Sequence, residues 1–194
     1  MHCYRQEFMY ITLKGYHGTN KALTGKILNE GLSPSKGDRE WLGDGRYFFI
    51  EGICRCPDAQ ARDWAIYRAW DKQNNRNRYL FYAVLRGIIQ VDDDKFLDLT
   101  TADGVELFEY IQKQCSEKLA TIGREVVYVD GYLINFARCE LTLDIDVVKG
   151  NFYIKIKKEE RINNIRRRVP NCTICSVYNP HCVVQLKSVE DGRI

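Results

Sequence analysis

No apolar run in this chain approaches the ~20 residues that a membrane-spanning helix needs. The start, Met1-His2-Cys3-Tyr4-Arg5-Gln6-Glu7, lacks the basic, apolar and small-residue regions of a secretory signal. The expectation is a cytoplasmic protein with no membrane partner. Proline is sparse, at four residues, and there is no Pro/Gly/Ser-rich linker, internal repeat or low-complexity tract. At 194 residues the chain is therefore expected to form a single domain, 1–194, with a substantial core. Strong charge of either sign is also missing, since the formal net charge is only +3.

What charge there is gathers in one place. Between Phe152 and Arg168 stand seven basic residues (Lys155, Lys157, Lys158, Arg161, Arg166, Arg167, Arg168) and two acidic ones (Glu159, Glu160). That segment carries +5, which leaves −2 for the rest. A basic segment on a mildly acidic body points to a local anionic partner rather than a general polyelectrolyte surface.

Cysteine is abundant, at eight residues. Without a signal sequence, reduced thiols are expected rather than a disulfide framework. Cys54-Arg55-Cys56 and Cys172-Thr173-Ile174-Cys175 have the spacing to join His181 and Cys182 around zinc. Cys172 and Cys175 fall in an expected strand, however, where residues three apart face opposite ways. Buried structural cysteine, and no metal, is the expectation.

Periodicity and punctuation predict an α+β fold of short strands with helices inserted between them. A strand is expected over Phe8 to Gly15, then a helix capped by Asn20 and stopped at Gly31. A second strand follows at Arg46 to Ile50. A helix opening at Pro57 carries Ala61, Trp64, Ala65 and Arg68 at helical spacing. Tyr79 to Arg86 alternates and is aromatic, and Phe96 to Leu99 reads as an edge strand. Thr100 with Asp103 opens a helix to about Ile122, with Phe108, Ile111, Cys115 and Leu119 on its apolar face. A short helix over Gly131 to Cys139 precedes strands near Asp146 to Val148, Ile174 to Tyr178 and Val183 to Val189.

The most informative residues are Gly15-Tyr16-His17-Gly18-Thr19 and, about 25 residues on, Trp41-Leu42-Gly43-Asp44-Gly45-Arg46-Tyr47-Phe48-Phe49. Gly18 admits a ligand close to the backbone because no Cβ stands in the way. His17 can hydrogen-bond a ribose hydroxyl, and Tyr47 offers an aromatic face to a planar ring. These segments resemble the first two signature motifs of the poly(ADP-ribose) polymerase-like, or diphtheria-toxin-like, ADP-ribosyltransferases. The resemblance implies a split β-sheet core and NAD as co-substrate. It implies that His17, Gly18 and Thr19 bind ribose and carboxamide while Tyr47 stacks on nicotinamide. Ala61-Arg62-Asp63-Trp64 fits the family's placing of a second aromatic on the following helix, which makes Trp64 the opposite wall.

Val177-Tyr178-Asn179-Pro180-His181-Cys182-Val183 resembles the family's last motif. Counting back places Ile174 where a glutamate usually stands, as in the His-Tyr-apolar members that transfer a single ADP-ribose. Loss of that carboxylate removes a general base, typically worth 10²–10⁴-fold where one operates. Glu51 and Glu125 are the reserve carboxylates. The family often shapes its acceptor site from the segment before this strand, here the basic stretch with Lys157, Lys158, Arg166, Arg167 and Arg168. Lysine and arginine interleaved with aromatics suit phosphates and bases. The implied function is a mono-ADP-ribosyltransferase with RNA or another nucleic acid favoured as acceptor, a toxin with an antitoxin partner. A protein acceptor is the alternative, and a silent domain that binds ADP-ribose or RNA is another.

Overall fold

Segments rich in aromatic and β-branched residues pair into sheet, and those bracketed by proline, glycine or a capping side chain become helices. The computed structural model describes residues 9–37, 39–117, 120, 129–165 and 167–194. In order it has β1 (Tyr10–Asn20), α1 (Thr24–Glu30), β2 (Arg46–Ile50), α2 (Pro57–Ala69), β3 (Trp70–Asp71), β4 (Arg76–Asn77), β5 (Phe81–Asp92) and β6 (Phe96–Asp98). Then come α3 (Ala102–Gln114), α4 (Val129–Cys139), β7 (Val147–Phe152), α5 (Lys158–Ile162), β8 (Cys172–Val177) and β9 (Val183–Arg193). The fold is α+β.

Seven strands form one sheet in the order β6-β7-β8-β2-β1-β5-β9. β1 pairs antiparallel with β5 along its whole length, from Tyr10 opposite Asp92 to Asn20 opposite Tyr82. All of β2 pairs with β8, and β6 lies parallel to β7 at the edge. The join between β1 and β2 is different in kind. It holds only at Gly15 opposite Ile50 and Tyr16 opposite Phe49. The sheet is thus two halves, β6-β7-β8-β2 and β1-β5-β9, tied at the centre by two residue pairs.

Alternation sends successive side chains to opposite faces. One face carries Phe49, Val84, Val148 and Ile174 beneath α2, α3 and α4. The other carries Phe48, Ile50, Ile89, Cys175 and Val177, with Ile27 of α1 packed against them. Phe48 is 1 % exposed and lies across two glycines, since a Cβ on Gly15 would sit 2.7 Å from the Phe48 Cβ and one on Gly87 would sit 2.9 Å from its ring. On the opposite face α2 presents Ala61, Ala65 and Ala69 to the sheet. Gly18 completes that approach, because a Cβ there would collide with the Ala61 carbonyl.

Several elements run longer than the sequence predicts. β1 continues through His17 to Asn20, whose side chain accepts from the Ala22 N–H and caps a 3-10 turn ahead of α1. β5 extends six residues past Arg86, held by its full pairing with β1. α3 is capped by Thr101, which accepts from the Gly104 N–H, rather than by Thr100. The expected start of β1 at Phe8 lies outside the described residues, as do Leu119 and Ile122 at the far end of the helix after Thr100. The β3–β4 hairpin and α5 have no counterpart in the expected elements.

Candidate functional site

Where the ladder between β1 and β2 stops, His17 takes over the connection. Its Nδ1 lies 2.9 Å from the Tyr47 carbonyl oxygen. A carbonyl only accepts, so Nδ1 carries the proton and donates. Burial holds the His17 imidazole below its ordinary pKa, with the Tyr47 bond pulling weakly the other way. The ring is therefore neutral at pH 7, and Nε2 is its acceptor.

The two side chains nevertheless point apart. Tyr16 opposes Phe49 on the face beneath α2. His17, next on β1, turns to the other face and meets Phe48 edge-on, with ring centroids 6.1 Å apart. The Tyr47 ring packs on the α2 face. Its hydroxyl donates to the Gly43 carbonyl at 2.7 Å and accepts from the Leu42 N–H at 2.8 Å. Tyr178 donates to the Leu42 carbonyl as well, so two phenols clamp residues 42–43. Burial pushes the Tyr47 hydroxyl far above its ordinary pKa. Gly43 itself has φ 74°, a left-handed conformation that glycine adopts without strain.

The third expected position lies in the core. Ile174 is 2 % exposed, between Phe49 on β2 and Gly150 on β7. Thr19 is half-buried opposite Ala83. Glu51 is exposed at the bend after β2, and Glu125 lies outside the described residues. A carboxylate without a predicted role, Glu40, interacts electrostatically with Tyr47. Burial raises its pKa, while Arg68 draws it down and Asp44 adds to the rise.

On the α2 face, between α2, the start of α4 and the segment after β7, is a cleft of about 470 Å³. That volume suits a drug- or nucleotide-sized ligand. Its walls are aromatic. Trp41 stacks on Phe152 with centroids 5.9 Å apart and planes 20° apart, and Trp64 lies tilted 5.9 Å from Trp41. Tyr67 is 5.3 Å from Trp64 and carries the Arg161 guanidinium 4.3 Å above its ring, a cation–π contact. Tyr153, Lys155 and Asp130 complete the rim. Asp130 is exposed at the rim, and partial desolvation by the cleft wall raises its carboxyl above its ordinary pKa.

Of the predicted aromatic walls, Trp64 lines this cleft; its ring meets Trp41, Phe49 and Tyr67 and carries the Arg68 guanidinium 5.9 Å from its centroid. In the basic segment, the residues that reach the cleft are Lys155 and Arg161. Arg167 lies 5.7 Å over the Tyr153 ring. Lys157 and Arg168 are exposed, Lys158 begins α5, and Arg166 lies outside the described residues. Trp41, Tyr67 and Asp130 were not predicted as site residues. Trp41 heads the glycine-rich motif and Tyr67 follows Trp64 by three on one helix, which are the signals that mark them.

Cys172 and Cys175 belong to cores on opposite faces of β8, and burial pushes both thiols up to about 12. Among the described residues no group of three His, Cys, Asp or Glu is placed to hold a metal ion, and no helix is long and apolar enough to cross a membrane. No protein-family model matches the chain. The chain is similar to an uncharacterized protein of Methanocaldococcus jannaschii, 28% identical over 198 residues that take in 92% of this chain and 87% of that protein.

Proposed function

We propose that the chain is an NAD-dependent mono-ADP-ribosyltransferase, with RNA or another nucleic acid favoured as acceptor and protein as the alternative. The observation that carries this reading is the bond from His17 Nδ1 to the Tyr47 carbonyl. It joins two segments 30 residues apart, each resembling a signature motif, at the point where the halves of the sheet part. A split sheet is what the resemblance implies.

Cleaving the bond between nicotinamide and ribose develops positive charge on the sugar. The reaction needs the ribose fixed while the planar leaving group departs. A neutral His17 with Nε2 as acceptor suits a ribose hydroxyl. With Ile174 buried, no carboxylate stands at the third position, which favours one transfer over chain elongation. Glu40 and Asp44 are described carboxylates that act electrostatically on the Tyr47 hydroxyl, so acid–base assistance is sought there. A toxin held by an antitoxin is the biological setting that fits the resemblance.

A second reading, a silent domain that binds ADP-ribose or RNA, is favoured by the same burial of Ile174 and by the Tyr47 hydroxyl being tied to Leu42 and Gly43. Incubation with labelled NAD together with RNA, DNA and protein fractions separates the readings, alongside His17→Ala. Label on nucleic acid that vanishes with the substitution supports the lead, and label on protein alone supports the alternative acceptor. Neither label nor nicotinamide release supports the silent domain.

A further inference from the structure

We propose that the aromatic cleft binds a guanine nucleotide, with the base stacked on the cleft rings, Asp130 reading its edge and Lys155 and Arg161 receiving its phosphate. The cleft combines three kinds of group that a nucleotide needs together. Trp41, Trp64, Phe152 and Tyr153 supply ring faces, and base–aromatic stacking holds any base without distinguishing among them.

The cations sit on the β7–β8 connection. Lys155 Nζ donates to Asn164 Oδ1 at 2.7 Å, which uses one of its three N–H donors. Arg161 is fixed by donating to the Lys155 and Ile156 carbonyls through one terminal nitrogen. The rest of its five-donor fork can meet a phosphate, in the manner that suits guanidinium.

Selectivity comes from Asp130, in the first turn of α4. An ionised carboxylate presents two acceptors side by side and no donor. Among the four bases, only guanine offers two adjacent donors on its pairing edge, the ring N–H and the exocyclic amino group. Adenine, cytosine and uracil offer a donor beside an acceptor, so one carboxylate oxygen would face a lone pair. Asp130 is exposed at the rim of the cleft, and a base that sets a lone pair against its carboxylate forgoes there a hydrogen bond that guanine makes. The binding stands on the cleft alone; that the bound guanine belongs to the acceptor rests on the transferase reading.

Tryptophan fluorescence tests the proposal, because Trp41 and Trp64 both line the cleft. Titration with GMP, AMP, CMP and UMP should give tightest quenching by GMP, by about tenfold or more, the usual scale of one good two-point base contact. Asp130→Asn should erase the preference at an unchanged thermal midpoint. Lys155→Ala should narrow the difference between GMP and guanosine. A short single strand containing one guanine that binds more tightly than GMP identifies a nucleic-acid source; no gain identifies the free nucleotide. Equal quenching by all four nucleotides, a preference that survives Asp130→Asn, or displacement of GMP by NAD would overturn the proposal. Nicotinamide release is measured separately, so failure of guanine binding and failure of NAD turnover are told apart.

Discussion

His17 and Tyr47 are joined by one hydrogen bond, yet their rings lie on opposite faces of the sheet. The bond runs from the His17 ring to the Tyr47 main chain, so it does not depend on what the Tyr47 side chain is. The Tyr47 hydroxyl has a separate task, clamping Leu42 and Gly43. The two residues can therefore be examined independently.

Tyr47→Phe removes the clamp and leaves the His17 bond. Leu42 and Gly43 are buried, so the Leu42 N–H and the Gly43 carbonyl lose a partner away from water, which costs about 1–3 kcal/mol. Urea unfolding should show that loss in the midpoint with an unchanged slope. If the phenol also stacks on nicotinamide, the phenylalanine ring should keep most of the nicotinamide release. Loss of stability well under that range would show that the clamp contributes little.

Protonation of His17 should link folding to pH. Burial lowers the imidazole pKa in the folded chain from its ordinary value of about 6.5. Above that value both folded and unfolded chains hold it neutral, and the full stability is present. As pH falls below about 6.5 the unfolded chain takes up a proton that the fold resists, so stability declines until the folded pKa is reached. The slope has a ceiling of about 1.4 kcal/mol per pH unit from this group. His17→Gln should remove it, and the difference between the two proteins at pH 7.5, 6.5 and 5.5 isolates it from the carboxylates. Parallel curves would mean that His17 is not desolvated.

Gly18 shows why a signature residue can mislead a mutagenesis experiment. A Cβ at Gly18 would meet the Ala61 carbonyl, so Gly18→Ala forces α2 away from β1. Overpacking of this kind costs about 1–3 kcal/mol, and the upper end applies because both partners are main chain. Gly25→Ala is the control. Its Cβ would meet nothing within 4 Å, and within α1 it should stabilise by up to about 1 kcal/mol. Denaturant midpoints should separate the pair. Lost activity in Gly18→Ala then reports on helix docking unless its fold is shown to be intact.

Local signals made much of the fold legible. Pro57 opens α2, Asn20 caps a turn, and alternation marks β2. Strand ends were harder to read, because β5 continues beyond Arg86 only by virtue of β1 alongside. Residues that pair across more than 60 positions leave no mark in a short window. The candidate site divides in the same way. His17 and Tyr47 stood out through glycines on either side, and their meeting follows from strand pairing. That their rings face apart needed the register, since Tyr16 opposite Phe49 fixes every neighbour. Asp130 had no local signal at all; only the placing of α4 brings it to the rim of the cleft.

Thiol reactivity offers a direct reading of how β8 sits in the sheet. Cys56 and Cys139 are exposed and Cys54 is half-buried, whereas Cys115, Cys172, Cys175 and Cys182 are buried. Burial also pushes Cys172 and Cys175 up to about 12 and Cys182 up to about 11. At pH 8 these three therefore hold almost no thiolate, the form that attacks. Iodoacetamide at pH 8 should alkylate Cys56 and Cys139 first and Cys54 more slowly. The four buried thiols should react only when denaturant is added, which peptide mass mapping would reveal. Because Cys172 and Cys175 face opposite cores, rapid labelling of either in the native protein would mean that its face of β8 is open, and the central position of that strand would then have to be abandoned.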